Sequence, residues 1–500
     1  MSKEIEPTVQ DYDGTNSPAP RKPQRTWKSY VWDSLDKSPE ERRFLFKLDL
    51  GLVTFSCLGY FIKFLDQSNL NNAFVSGMKE DLSMLGNQYN YATTLWTVGY
   101  ILGEIPSNIL LTKIRPSIFI PSCQIVWTVL TMCLARVNTV HQLYALRFLI
   151  GLAEAGFFPG ILYMFGSWYG KDEIAKRSCI FHVTGAIATM FSGYLMTAVI
   201  GLGGKGGLKG WQWLFIMDGI ISLPIAFASF FMLPDFPHNT RAWYLNESDV
   251  TLSKKRMELV GRAQRQPYTK AKVLKIFTRW HIWVLPLMTM QVFGGGAGGV
   301  GQPIFAFYLK AHKNPKYTVA QINDYPTTTS AVQVFATLLY AYISDGPLNG
   351  ARWPVMLFSA TLSVVFWISL AIWNISEGWR WACYILVGQV LALVPLTLTW
   401  ANEICSDDNE ERALVVAAIN DWQYIIGAWL PLIIWQQTDA PRYKKGMPTA
   451  VVFSFIVIGL ILIIKSLADR DQKKKQNARY QLETGLSHSS PDSEVAGESK

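Results

Sequence analysis

The chain has 500 residues, 50% of them hydrophobic and 17% charged, with a formal net charge of +9. Soluble domains carry about 25% charged residues, so the several soluble domains that this length would allow are excluded. The six cysteines are scattered without C-x-x-C spacing, which excludes a disulfide framework or a zinc ribbon.

Residues 1–25 are rich in Pro, Ser and charge and read as disordered, and the first forty residues contain no apolar signal-peptide core. Residues 26–47 mix Trp27, Trp32 and Phe44 with Lys28, Lys37, Arg42 and Arg43, the composition of an interfacial helix. Residues 1–43 are therefore expected to form a cytosolic N-terminus. Twelve apolar segments follow, near 47–65, 88–111, 117–136, 141–165, 178–200, 212–233, 281–307, 325–344, 353–373, 380–402, 412–436 and 448–466. Each is close to the roughly twenty residues that span hydrocarbon. The expected fold is an all-α membrane protein of twelve transmembrane helices in a 6+6 arrangement. Six-helix bundles at 44–233 and 281–468 flank a linker at 234–280, and a disordered cytosolic tail occupies 469–500.

The linker holds ten basic residues, among them Arg256, Lys272 and Arg279, against the four acids Asp235, Glu247, Asp249 and Glu258. That excess places it in the cytosol, and six spans on either side bring both termini to the same face. The net positive charge reads mainly as loop charge, with attraction of an anionic ligand as the alternative. A weak internal repeat supports the same layout. Lys113 and Arg115 lie in the link after span two, and Asp345 and Arg352 in the link after span eight, so these four are the gating candidates. Parallel repeats of this kind are a transporter architecture.

Two stretches match G-x-G-x-x-G without the strand–turn–helix context of dinucleotide binding. Gly296–Gly301 falls in span seven, where glycines serve either close helix packing or a bending helix at a cavity. Gly201–Gly206 reads as a flexible outer loop. The sequon at Asn374 lies on an expected outer loop, and the one at Asn246 on the cytosolic side.

Ionisable groups inside spans are functional candidates, because hydrocarbon penalises them. Span four holds Arg147 and Glu154, which lie on one helical face, about 10.5 Å apart along the axis. The small residues of Gly151–Gly160 and its Pro159 predict close contact and a kink. Arg147 is a permanent cation whose planar fork suits a carboxylate, and Glu154 is an acid placed to take up and release a proton. The alternative for this pair is a structural lock between helices. Asp66 is expected to end span one, either as an interfacial cap or as a second protonation site, with Lys63 snorkelling or pairing with it. Glu104 in span two and His182 in span five are further polar positions. Gln291, Gln333, Asn402, Glu403, Asn420 and Tyr424 lie in or beside spans seven to eleven, serving substrate hydrogen bonds or interhelical ones. No nucleophile–base or metal constellation points to an enzyme, and no cofactor or metal ion is expected.

The run Arg147–Gly160 resembles the span-four signature of the anion:cation symporter family of the major facilitator superfamily. Trp400–Cys405 with Glu410–Ala413, Gly210–Phe215 and Ala440–Tyr443 are similar to its fungal allantoate permease branch. Ser76–Leu82 and Gly166–Tyr169 look most like its pantothenate transporters. The likeness runs over about residues 44–468. It implies proton-coupled uptake of a small organic anion at the plasma membrane by a multi-pass protein with cytosolic termini. It also implies a monomer whose partners are the anion, protons and the bilayer, and not nucleic acid. The implied roles are proton carriage by Asp66 and Glu154 and substrate-carboxylate binding by Arg147, with Gln291, Gln333, Asn420 and Tyr424 completing the substrate site. Gln67 stands where many members have an arginine, which puts span-one coupling through that cation in question. An exporter of a secondary metabolite on the same scaffold is the alternative.

Overall fold

The computed structural model describes residues 33–259, 270–290, 304–348, 350–405 and 408–487. Gln291 and the Gly296–Gly301 cluster lie outside them, as do residues 1–32 and 488–500. The described residues fall into two compact units that divide between Phe46 and Lys47. In the first, a 3-10 turn at Asp33–Asp36 precedes helix α1, Pro39–Leu48. Ser38 caps it, accepting from the Glu41 amide at 3.3 Å, with Pro39 in the first turn and Glu40 and Glu41 behind it, a favourable helix start.

The second unit is helical because a backbone in hydrocarbon must satisfy its polar groups within its own segment. Its first six spans use α2 (Thr54–Ala73), α3 (Gln88–Lys113), α4 (Pro116–Cys133), α5 (Val140–Glu154) with α6 (Phe157–Trp168), α7 (Lys171–Val199) and α8 (Gly210–Met232). Two short helices, α9 (Glu247–Leu259) and α10 (Lys270–Phe277), belong to the linker. The last six spans use α11 (His281–Leu287) and α12 (Ile304–Ala311), then α13 (Val319–Asp324) leading into α14 (Thr327–Asp345). They continue with α15 (Trp353–Ile372), α16 (Glu377–Leu386) running through a 3-10 stretch into α17 (Leu393–Ile404), α18 (Asn409–Ile434) and α19 (Gly446–Ser487). Among the described residues nine helices are long and apolar enough to cross a membrane. The more polar α3 and α14 are two further long helices, and α11 and α12 lie where the seventh span is expected.

Span four breaks at Ala155–Gly156 between α5 and α6. Pro159 lacks the amide that would bond back across this joint, and both joint residues keep right-handed helical dihedrals, so the interruption is local and falls where the kink is expected. Two expectations need correction. Span one does not end at Asp66: its helix runs on through Ala73, and the backbone leaves helical geometry only at Ser76 and Gly77. The polar residues after Asp66 are accommodated mid-helix because Asn69 and Asn72 find partners on other spans. Asn69 donates to Asp218 at 2.9 Å, and Asn72 donates to Ser192 at 2.6 Å. The tail is also not disordered from 469, since α19 continues to Ser487. Its Lys-, Gln-, Arg- and Ala-rich sequence favours helix, and a span that is already helical removes the nucleation cost.

A close helix crossing joins α3 to α5. A Cβ on Gly151 would stand 2.0 Å from the Trp96 carbonyl oxygen, and one on Gly99 would stand 2.2 Å from the Phe148 carbonyl oxygen. These glycines bring the two backbones into contact and fix the helix that carries Arg147. In the second set of spans, Leu285, Met356, Ala360, Val415, Val457 and Ile461 are fully buried in one shared core.

Three cations of the basic linker pair with acids in the first turns of the helices they meet, where acids also complement the helix dipole. Arg256 pairs with Glu173 of α7. Lys272 reaches Glu410 at 2.7 Å and Arg279 reaches Glu411 at 2.5 Å, both on α18.

Candidate functional site

A cavity of about 280 Å3 lies between the first and last six spans. On α2 the stripe Tyr60, Lys63, Phe64, Gln67 and Asn71 faces it, spaced at helical period. Opposite stand Gln333 and Thr337 of α14 and Asn420, Gln423 and Tyr424 of α18. Arg147 and His182 also line it. Four predicted residues, Arg147, Gln333, Asn420 and Tyr424, are thus brought together from three helices.

Arg147 is 3% exposed. Its guanidinium stands 5.7 Å from the Trp96 ring centroid and, among the described residues, has no hydrogen-bond acceptor. A buried guanidinium carries five donors, and leaving them unmet is costly.

Glu154 is fully buried and is not part of the cavity wall. Gln67 stands between, its Nε2 donating to Glu154 Oε2 at 3.0 Å. Arg147 and Glu154 share a face as their spacing predicts, yet they are not locked as an ion pair. Asp66 points away from the cavity. Its Oδ2 accepts from Thr131 at 3.5 Å, and its neighbour is the buried Asp218 of α8, an acid that the sequence reading did not single out. One residue of register separates Asp66 from the Gln67 stripe, about 100° around the helix. Lys63 neither snorkels nor pairs with Asp66. It is 1% exposed, turned to the cavity, and donates to Tyr100 Oη at 3.3 Å.

Glu104 lies against Asn420 and Asp421 of α18, and the Tyr100 and Tyr424 rings meet at 4.4 Å. Both contacts join the first six spans to the last six. More follow towards the face opposite the linker. Asn90 donates to the Trp435 carbonyl at 3.0 Å and to the Pro431 carbonyl at 3.4 Å, and accepts from Gln437 at 3.2 Å. Thr94 donates to the Ala428 carbonyl at 2.8 Å, Thr197 to Asp324 at 2.6 Å, and Asn323 to Ser76 at 2.9 Å. These bonds hold that face together. Asn90→Ala is expected to lower the Tm of the purified protein, because it leaves buried acceptors unmet at about 1–3 kcal/mol. An unchanged Tm would show that the bonds carry no net stability.

The gating candidates sit at the linker face. Arg352 bonds Asp345 at 2.5 Å and Glu403 at 2.7 Å, while Lys113 and Arg115 are exposed. Glu403 and Asn402 therefore take no part in the cavity: one pairs with Arg352 and the other donates to the Leu398 carbonyl. A counterpart in the first six spans escaped the sequence reading. Arg177, fully buried, holds Asp49 through two bonds of 2.6 and 2.8 Å, and Tyr169 donates to the same carboxylate at 2.8 Å. Only the presence of a cation and an acid at span ends signalled it. His281, Cys405 and Glu411 stand close enough to hold a metal ion. Glu411, however, is already shared between Arg279 and His281, each at 2.5 Å.

Residues 56–431 match the family model described as Major Facilitator Superfamily. The chain is 36% identical over 438 residues to the pantothenate transporter liz1 of Schizosaccharomyces pombe, covering 87% of this chain and 84% of that one. It is 32% identical over 459 residues to the pantothenate transporter FEN2 of Saccharomyces cerevisiae, covering 89% and 88%. It is 35% identical over 428 residues to the MFS transporter PfmaC of Pestalotiopsis fici, covering 85% and 80%. Among solved structures, the proton:xylose symporter XylE superposes with a TM-score of 0.64 at 12% identity, covering 84% of this chain and 95% of that one. At that identity the likeness is one of fold.

Proposed function

The chain belongs to the major facilitator superfamily and is a secondary transporter, and from that premise we propose that it imports a small organic carboxylate together with protons, with pantothenate the first candidate. One observation carries the substrate class: a buried guanidinium, Arg147, lines a central cavity with no acceptor of its own among the described residues. Facing it are the neutral donors and acceptors Gln333, Thr337, Asn420 and Gln423. A ligand with a carboxylate at one end and amide and hydroxyl groups along its body matches that division, and pantothenate has this form. The relatives named as pantothenate transporters support the same choice.

In this reading the bundles at 44–233 and 281–468 rock about the cavity, joined by the linker at 234–280, and expose it to each side in turn. Arg147 anchors the carboxylate. Glu154 takes the coupling proton and passes its state to the cavity through Gln67, and Asp66 with Asp218 serves as a second acid site within the first bundle. Arg352 with Asp345, together with Lys113 and Arg115, works at the linker face. The basic linker puts that face and both termini in the cytosol, with the protein acting as a monomer in the plasma membrane.

The test is uptake of labelled pantothenate by yeast cells lacking their own carrier. Uptake that rises with external acid is expected, and net efflux of preloaded substrate with no inward accumulation would reverse the direction. Glu154→Gln fixes that side chain in a neutral state. It is expected to abolish acid-stimulated accumulation while exchange of labelled for unlabelled substrate stays within about twofold. Accumulation that still follows the pH gradient in this variant would remove Glu154 from the coupling.

A further inference from the structure

Lys63 lies on the stripe of α2 that faces the cavity, one turn before Gln67. Its ammonium has three donors. One reaches Tyr100 Oη at 3.3 Å, and the Tyr100 ring lies beside it, 4.4 Å from nitrogen to centroid. Among the described residues no carboxylate forms an ion pair with it. Glu154 and Glu104 are the acids near enough to act on it through space. Glu154 is hydrogen-bonded by Gln67, and Glu104 lies against Asn420 and Asp421. Two nearly fully buried cations, Lys63 on α2 and Arg147 on α5, thus line one small cavity. Glu154 is an acid near both, but among the described residues neither cation forms an ion pair, and a buried charge without one is costly. An anion received in this cavity is attracted by both cations, whereas a neutral ligand is attracted by neither.

We propose that Lys63 is a second contact for the substrate's carboxylate group and that, with Arg147, it sets the preference for carboxylates over neutral analogues. This rests on the reading of the cavity as an organic-anion site. Lys63 and Arg147 belong to different helices, so the bound carboxylate ties α2 to α5. The Tyr100 hydroxyl and ring hold the ammonium in place, a contact that also connects it to Tyr424 of α18.

The test is binding to the purified full-length protein, followed by ligand-induced stabilisation, with two probe pairs: pantothenate against its alcohol analogue pantothenol, and nicotinate against nicotinamide. The wild-type protein is expected to bind at least one carboxylate at least about tenfold more tightly than its neutral partner. Lys63→Gln is expected to bring that ratio to within about threefold of unity while binding of the neutral partner is unchanged. Lys63→Arg is expected to keep the preference, because the charge remains. Lys63→Met, which retains the packing of the stem, is the second variant if the glutamine form does not fold. Equal weakening of carboxylate and neutral analogue would assign Lys63 a structural role and overturn the inference. A preference lost in Arg147→Ala but kept in Lys63→Gln and Lys63→Met would overturn Lys63 alone. No preference in the wild-type protein for either pair would instead overturn the organic-anion reading itself.

Discussion

Arg147→Ala is expected to lower carboxylate uptake at least about a hundredfold while leaving the amount of folded protein in the membrane unchanged. The two halves of this expectation have one cause. The Arg147 guanidinium bonds to no acceptor among the described residues, so removing it breaks no ion pair within the protein. Burying a charge outside an ion pair is itself costly, so its removal is not expected to penalise the fold. The substrate carboxylate, by contrast, would enter a low-dielectric cavity without its charge partner, a loss of about 2–5 kcal/mol in comparable truncations. Arg147→Lys keeps the charge but not the planar fork, and is expected to fall between the two. The measurement is initial uptake rate against concentration, with surface protein and Tm quantified for each variant. Wild-type uptake by Arg147→Ala would end the anchor assignment. A large fall in Tm would recast Arg147 as a structural residue.

Gly151→Ala is expected to destabilise the protein by at least about 3 kcal/mol, and Gly151→Val by more. Helix propensity alone predicts the opposite sign, since alanine is favoured over glycine by about 1 kcal/mol within a helix. The contact decides the outcome. The added Cβ would lie 2.0 Å from the Trp96 carbonyl oxygen and 3.0 Å from the Tyr100 amide nitrogen. Both are backbone atoms of α3 and cannot rotate away. Relief requires α5 to move off α3, which displaces Arg147 one turn earlier on the same helix. Gly459 of α19 has nothing within 4 Å of its Cβ position, so Gly459→Ala is the matched control and is expected to be neutral or slightly stabilising. Detergent-extracted yield and Tm measure both. Equal behaviour of the two substitutions would show that the crossing yields without cost.

Much of the site was legible before any coordinates because hydrocarbon makes a polar residue conspicuous. Arg147 and Glu154 stand out in an apolar run, and Gln333, Asn420 and Tyr424 stand out in theirs. All are buried or at the cavity wall. The errors came where a polar residue had neighbours of its own kind. Asp66 reads as the end of span one, yet the polar residues from Asp66 to Asn72 divide between the cavity and the packed interior. Gln67 faces Glu154 on one side, while Asp66 and Asn69 face Thr131 and Asp218 on the other. Lys63 reads as snorkelling or pairing with Asp66 when span one is placed too early in the chain. The helical tail to Ser487 was missed because polar composition reads as disorder when the preceding span is left out of account.

The sequence by itself determined the number of spans, their 6+6 division about a basic linker, and the short list of side chains too polar for lipid. Each of these depends on what one segment is made of, and transfer from water to hydrocarbon is a property of the residue. Only the tertiary structure decided which of those side chains meet. Gln67 bonds to Glu154, Asn69 to Asp218, Arg177 to Asp49 and Asn90 to Trp435, pairs far apart along the chain that no local pattern links. A turn of about 100° per residue sends one group to the cavity and the next into the bundle, and which is which depends on the helix packed alongside.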